Sequence, residues 1–358
     1  MRRLFLLLKN ELKLTRTALP INLVAIFQPA LMFSLMAYVL VMPTFKMNLQ
    51  RPAMPEGEAL LRVMEQVGSP VGADYIQPVV IDWEPTDPIP NGQIVVVDFV
   101  DDAPTATQIF GLIDSNMVKN FRNRMTSAAL LLWEKRLQSK AVVLRQRPLL
   151  PRDVSYRVYF GMAMLPLAAY IGGAFVGAFL TAQEFEFKTI REYRLAPAPW
   201  QLVIVARLLR LCLNGMVSVG ALAVVMYLFD RVVPSSIGVA CLLLMGMSLI
   251  GASVGTCAAL ILRSTLPAFV IGLTSAFFTW IMGGAFGLPA GFGGAYEAVS
   301  RWMPNTYAVN ALYRLYYPVG AALRCRDFLI LGIFASVAVG VVMLVYRQVV
   351  LRTEAVGW

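Results

Sequence analysis

VYFGMAMLPLAAYIGGAFVGAFLTA, residues 158–182, contains no charged side chain, and QEFEFKTIREYRLAPAPWQ, residues 183–201, follows at once with three carboxylates and three basic groups. Wound as an α-helix, the first stretch rises about 37 Å, more than the roughly 30 Å hydrocarbon core of a bilayer. The second cannot follow it into hydrocarbon, because each charge would lose its hydration. A membrane surface therefore falls near the junction of the two. The fold is that of a chain threaded through a bilayer.

Five further uncharged runs extend this reading outward: Ala18 to Met42, Leu211 to Phe229, Ile237 to Leu262, Leu266 to Ala290 and Phe328 to Tyr346. One such run could be the buried helix of a large soluble protein; six in 358 residues describe a polytopic membrane protein. Composition agrees, with 58% hydrophobic and 15% charged residues and a mean hydropathy of +0.66. These features predict an all-α membrane domain with six transmembrane helices.

The charges orient it. MRRLFLLLKNELKLTRTALP has too short an apolar run for a signal peptide. It reads as an interfacial helix with Phe5, Leu4, Leu7, Leu8 and Leu12 toward lipid and Arg2, Arg3, Lys9, Lys13 and Arg16 toward anionic headgroups, or as a plain cytosolic tail. Net charge is +4 over residues 1–19, +2 over 181–210 and −1 over 43–155. The positive-inside rule then places both termini and the 181–210 loop in the cytoplasm and segment 43–155 outside. Residues 230–236 fall outside and 263–265 inside, and the +10 total reads as topology, with no nucleic-acid partner. The predicted organisation is an amphipathic helix at 1–17, a first span at 18–42, an extracytoplasmic domain at 43–155, five further spans within 156–346, and a cytoplasmic tail at 347–358. Membrane lipids are the expected surroundings.

The external segment has soluble character. After a turning stretch at 42–55, EGEALLRVMEQVG predicts a short helix, and QPVVIDW, QIVVVDFV and VVLRQR predict strands. The β-branched run at 93–100 predicts a central strand. Apolar residues at helical spacing from Ile109 through Leu112, Ile113, Met117, Phe121 and Met125 to Trp133 predict one long helix. The result is a small α/β or α+β module.

Little in the chain supports catalysis. Histidine is absent, which removes the usual base and metal ligand, and no Gly-rich loop ends in Lys-Ser/Thr to bind nucleotide phosphates. Asp98, Asp101 and Asp102 are a cation candidate whose ordinary reading is a solvated turn. The cysteines, Cys212, Cys241, Cys257 and Cys325, lack metal-site spacing. Three Gly-x-x-x-Gly pairs, 173/177, 251/255 and 283/287, offer faces for close helix approach. Residues 288–318 mix Gly, Pro, charge and aromatics, and predict a helix-turn-helix dipping into the outer leaflet or an external loop with a surface helix. Glu297 and Arg301 there are natural i,i+4 partners. As a helix, residues 184–196 place Glu184, Lys188 and Glu192 on one side, with Glu184 and Lys188 paired, and Pro197 and Pro199 closing it.

AQEFEFKTIREYRLAPAPWQLVIVARLL resembles the R-E-x-E-x-G-T motif of ABC-2 type exporter membrane subunits, with Glu184, Glu186, Thr189, Pro197 and Arg207 in matching places and Lys188 where the family carries glycine. GGAFGLPAGFGGAYEAVSRWMPNTYAVNALYRL is similar to the family's final signature, with Trp302, Pro304 and Arg314. The branch resembled carries a large external domain between the first two spans and has a type V exporter-like fold. The resemblance implies two permease subunits, as homodimer or heterodimer, and two copies of a cytoplasmic ATP-binding subunit holding ATP and Mg; this chain would bind no cofactor. It implies a coupling helix at 184–196, with Glu184, Glu186, Lys188, Arg191 and Glu192 meeting the ATPase. Phe175, Phe179, Phe278, Trp280 and Phe286 would line or gate the path, with inter-helix packing as their ordinary alternative. Glu297, Arg301, Pro304 and Arg314 would shape a re-entrant hairpin. The implied location is the bacterial cytoplasmic membrane, with a periplasmic adaptor as a further partner. The implied activity is export of a hydrophobic or amphipathic compound such as a drug, antibiotic or lipid, with mechanotransmission to an external partner and lipid-linked polysaccharide export as alternatives.

Overall fold

The computed structural model describes residues 2–13, 18–40, 45–50, 55–67, 76–87, 93–100, 103–110, 115–137, 156–189, 199–286, 294–317 and 324–351. In chain order the elements are α1 Arg2–Lys13, α2 Leu19–Leu40, β1 Phe45–Gln50, α3 Pro55–Gln66, β2 Ile76–Ile81, β3 Gln93–Val100, β4 Ala103–Phe110, α4 Ser115–Leu137, α5 Tyr156–Glu186, α6 Trp200–Asp230, α7 Ile237–Leu262, α8 Thr265–Met282, α9 Gly294–Ser300, α10 Pro304–Tyr316 and α11 Cys325–Tyr346. They form two units, Met1–Ala37 with Leu149–Trp358, and Tyr38–Pro148.

In the larger unit, α2, α5, α6, α7, α8 and α11 are long and apolar enough to cross a membrane, making six such helices among the described residues. α5 is the centre: 89% of its most apolar window is buried, against 11% for α11. Small residues allow this. A Cβ on Gly173 would lie 2.7 Å from the Ser248 carbonyl oxygen of α7, and Gly251 faces the Tyr170 carbonyl of α5. The 173/177 and 251/255 pairs are thus two sides of one α5–α7 seam, as close helix packing requires. The third pair differs from expectation. Gly283 caps α8 against Asn305, so it belongs to a turn, and Gly287 lies outside the described residues.

Two helices overrun their uncharged runs. α6 begins at Trp200 rather than Leu211, and α5 continues through Glu186. At 31 residues each they rise about 46 Å, leaving about 15 Å beyond the hydrocarbon core. The added turns carry charges, which is why the uncharged-run criterion missed them. α8 is correspondingly shorter than expected, ending at Met282 rather than Ala290.

In the smaller unit the sheet order is β2-β1-β3-β4. β1 runs parallel to β2 and β3, and β3 pairs antiparallel with β4. Met47, Leu49, Ile76 and Val95 from the sheet pack with Leu60, Met64 and Val67 of the α3 region and with Met125 and Ala128 of α4. The internal position of β3 agrees with its β-branched run. Two expectations fail here. The supposed turn at 42–55 contains β1, whose Met47 and Leu49 fill the core, and 103–110 is a strand rather than the start of the long helix. β4 pairs with β3 through an eight-residue register, and this pairing outweighs the helical spacing of Ile109 with later apolar residues. The VVLRQR strand lies outside the described residues.

Candidate functional site

α5 and α6 run antiparallel, and each end of the pair is closed by a charge pair. Arg207 on α6 meets Glu184 on α5, and Arg157 on α5 meets Asp230 on α6. Between the Arg207 and Asp230 positions α6 rises about 35 Å, close to the thickness of a hydrocarbon core. Nothing charged intervenes on either helix except Arg210.

The Arg207 end is a cluster. Arg207 Nη1 donates to Glu184 Oε2 at 2.8 Å, Arg207 Nη2 also binds Glu184, and it lies 3.6 Å from Glu11 Oε1. Arg210 Nη1 donates to Glu11 Oε2 at 3.3 Å. The arginines stand three apart on one face of α6, and α1 supplies Glu11, so helices adjoining in space but distant in sequence share the site. Arg207 and Arg210 are each 3% exposed and Glu11 is 6% exposed. Among the described residues the cluster sets two guanidinium groups against two carboxylates. Tyr346 of α11 lies beside it and stacks on Trp200 with ring centroids 6.2 Å apart.

Immediately beyond, α5 stops. Phe187 N–H donates to the Gln183 carbonyl and Lys188 N–H to Phe185, and Lys188 adopts φ +61°. That left-handed value is where a side chain is strained and glycine is not. The glycine of the resembled motif thus has a conformational reason, which Lys188 meets at a cost. This changes the expectation for 184–196. Glu184 and Glu186 complete α5, Glu184 pairs with Arg207 rather than Lys188, and Arg191 and Glu192 lie outside the described residues. Glu186 turns the other way: its Oε1 accepts the Thr265 N–H at 2.8 Å, at the first turn of α8. Arg263 lies over the Phe185 ring, 5.7 Å from its centroid.

At the other end of α8, Trp280 Nε1 donates to the Ala163 carbonyl of α5 at 2.9 Å, and Tyr159 Oη donates to the Gly284 carbonyl at 2.8 Å. Phe160, Phe277 and Phe286 surround Trp280 with centroids within 6.1 Å. Of the five aromatic residues expected at a path, Phe175 and Trp280 are packed inside the chain, Phe175 tilted on Phe269 at 4.6 Å. Their position inside a small-residue bundle follows from the central placement of α5. Phe179 is half-buried, and Phe278 and Phe286 face outward.

The expected hairpin is a helix-turn-helix. α9 carries Glu297, whose Oε1 accepts from Arg301 Nη2 at 2.8 Å, the i,i+4 pair anticipated from sequence. That hydrogen bond also raises the Arg301 guanidinium pKa above its ordinary value. Thr306 Oγ1 donates to the Ser300 carbonyl at 2.6 Å and Tyr307 Oη to the Arg301 carbonyl at 2.7 Å, fixing the turn. Pro304 opens α10 at its first turn, where the missing N–H costs nothing. α10 is buried along most of its length, and Arg314 in its last turn is half-buried. Sequence reasoning missed Glu11 and Arg210 as partners. Glu11, the one acid among the basic residues of the N-terminal segment, was the available signal.

Among the described residues no group of three His, Cys, Asp or Glu side chains could hold a metal, and the four cysteines are free thiols. Asp98 pairs in register with Thr105 within the β3–β4 hairpin, and Asp101 and Asp102 lie outside the described residues. A family model described as ABC-2 family transporter protein matches residues 74–345, about three-quarters of the chain, and the chain belongs to that family. It is a multi-pass membrane permease subunit with no catalytic motif of its own and a sheet-containing insertion between its first two spans. No curated protein and no solved structure matches it.

Proposed function

We propose that this chain is the permease subunit of an ATP-driven exporter, moving a hydrophobic or amphipathic molecule across the bacterial cytoplasmic membrane. A separate ATP-binding subunit, present twice with its ATP and Mg, energises a pair of permease chains. The termini and the segment after α5 face the cytoplasm, and the sheet-containing unit faces outward. Residues 188–196, with Lys188, Arg191 and Glu192, meet the ATP-binding subunit, and the outward-facing Phe278 and Phe286 border the path.

The observation that carries this reading is the end of α5. The helix at the centre of the bundle stops in a left-handed turn at Lys188 and is tied there to α6 and α8 by Glu184 and Glu186. A push on the following segment is therefore delivered to the core of the protein. The test is movement of a lipophilic fluorescent dye into vesicles holding the chain with its ATP-binding subunit. ATP-dependent accumulation supports export; normal cellular function with no vectorial movement of any cargo removes it.

A second reading has its own observation. The inserted unit has a core of its own and exposes Val79, Val80, Leu130 and Trp133. Such a surface fits an external partner on which ATP-driven motion acts without cargo crossing. Capture of a periplasmic adaptor by this unit, abolished by Trp133→Ser, favours mechanotransmission.

A further inference from the structure

Glu184 and Glu186 stand two residues apart in the last turn of α5 and are committed to different helices. Glu184 is engaged in the buried cluster with Arg207, Glu11 and Arg210. Glu186 is exposed, and its carboxylate accepts the first-turn N–H of α8 at 2.8 Å. A carboxylate there also meets the positive end of the α8 macrodipole, so the contact is both a hydrogen bond and a charge–dipole attraction.

α8 is a single helix of 18 residues, about 27 Å long. No proline interrupts it after Pro267 in its first turn, so displacement at Thr265 is carried along its axis. Its far end holds Trp280, hydrogen-bonded to Ala163 and in aromatic contact with Phe160, Phe277 and Phe286. Gly283 follows against Asn305 of α10, whose Nδ2 donates to the Gly283 carbonyl at 3.3 Å. One carboxylate at the Lys188 turn is thereby linked through one rigid rod to the aromatic cluster and the hairpin at the opposite end.

We propose that Glu186 is a positioning residue that transmits movement of the post-α5 turn to the Trp280–Phe286 cluster through the N-terminus of α8, rather than a residue that docks the ATP-binding subunit. Glu184 has the separate task of holding α1 and α6 to α5. This inference rests on the function proposed above, and the two fail differently.

The test uses the full chain with its ATP-binding subunit, reconstituted in vesicles of phosphatidylethanolamine and phosphatidylglycerol. The four native cysteines are replaced by alanine and a bimane is attached through Ile281→Cys, exposed and next to Trp280 in the chain. ATP with vanadate changes the bimane emission in this parent. Glu186→Ala retains the ATP-binding subunit but loses most of the emission change, because the hydrogen bond that ties the turn to α8 is gone. Glu186→Gln keeps an acceptor oxygen and recovers most of the change, which distinguishes transmission from a generally damaged fold. An undiminished signal in Glu186→Ala overturns the inference. So does loss of the ATP-binding subunit from that variant, which would make Glu186 a docking residue. If the parent itself retains no ATP-binding subunit, the proposed function falls instead.

Discussion

Arg207 holds Glu184 with both terminal guanidinium nitrogens while Glu11, from the first helix of the chain, lies 3.6 Å from the same group. Breaking such a buried pair strands the remaining charge at a cost of about 3–5 kcal/mol. Arg207→Ala and Glu184→Ala are each expected to lower the unfolding midpoint of detergent-solubilised protein sharply. The exchange Glu184→Arg with Arg207→Glu should recover part of the loss. A double mutant no better than the single ones would show that the pair contributes little by itself.

The glycines divide into two classes with opposite expected outcomes. At Gly251 a Cβ meets the backbone of Tyr170, whereas at Gly220 and Gly340 it meets nothing within 4 Å. Gly251→Ala should abolish monodisperse protein on size-exclusion chromatography. Gly220→Ala should be tolerated and gain roughly 0.5–1 kcal/mol from helix propensity.

Lys188 at φ +61° bears a strain that glycine would not. Lys188→Gly is expected to stabilise the chain by roughly 1 kcal/mol, and Lys188→Val to destabilise it by more. Thermal unfolding of the two variants side by side decides this, and equal midpoints would remove the conformational explanation.

Trp280 separates a polar from a packing contribution. Trp280→Phe removes the hydrogen bond to Ala163 and should cost about 0.5–1.5 kcal/mol, apart from the smaller ring volume. Trp280→Ala also empties a site 3% exposed and should cost about 3–5 kcal/mol.

Thiol chemistry tests the orientation. Cys325 is exposed and Cys212 is buried. In intact cells an impermeant maleimide should label Cys325 from outside and leave Cys212 untouched. Labelling of Cys325 only after the cytoplasm is opened would invert the proposed topology.

The six spans were legible because hydrocarbon imposes a length and a polarity that composition alone reveals. Their ends were not. The reading stopped α5 and α6 at the first charge, yet Glu184 and Arg207 remain helical because each neutralises the other, and pairing between distant residues leaves no mark in local hydropathy. The same limit hid Glu11, whose partners lie nearly 200 positions away. In the inserted unit, β1 and β4 were missed because their stability comes from neighbours in the sheet rather than from their own pattern. The Glu297–Arg301 pair was found because both partners lie on one turn.

α8 has a further consequence for the surrounding lipid. Its rise of about 27 Å falls short of the hydrocarbon core that α5 and α6 exceed. Among the described spans its length is the least, and there the bilayer must thin or the hairpin must fill the difference. Membrane thickness thus acts unevenly around the bundle, bearing hardest beside Trp280 and Phe286, where a thicker bilayer would strain the end of α8 before it disturbed any other described span.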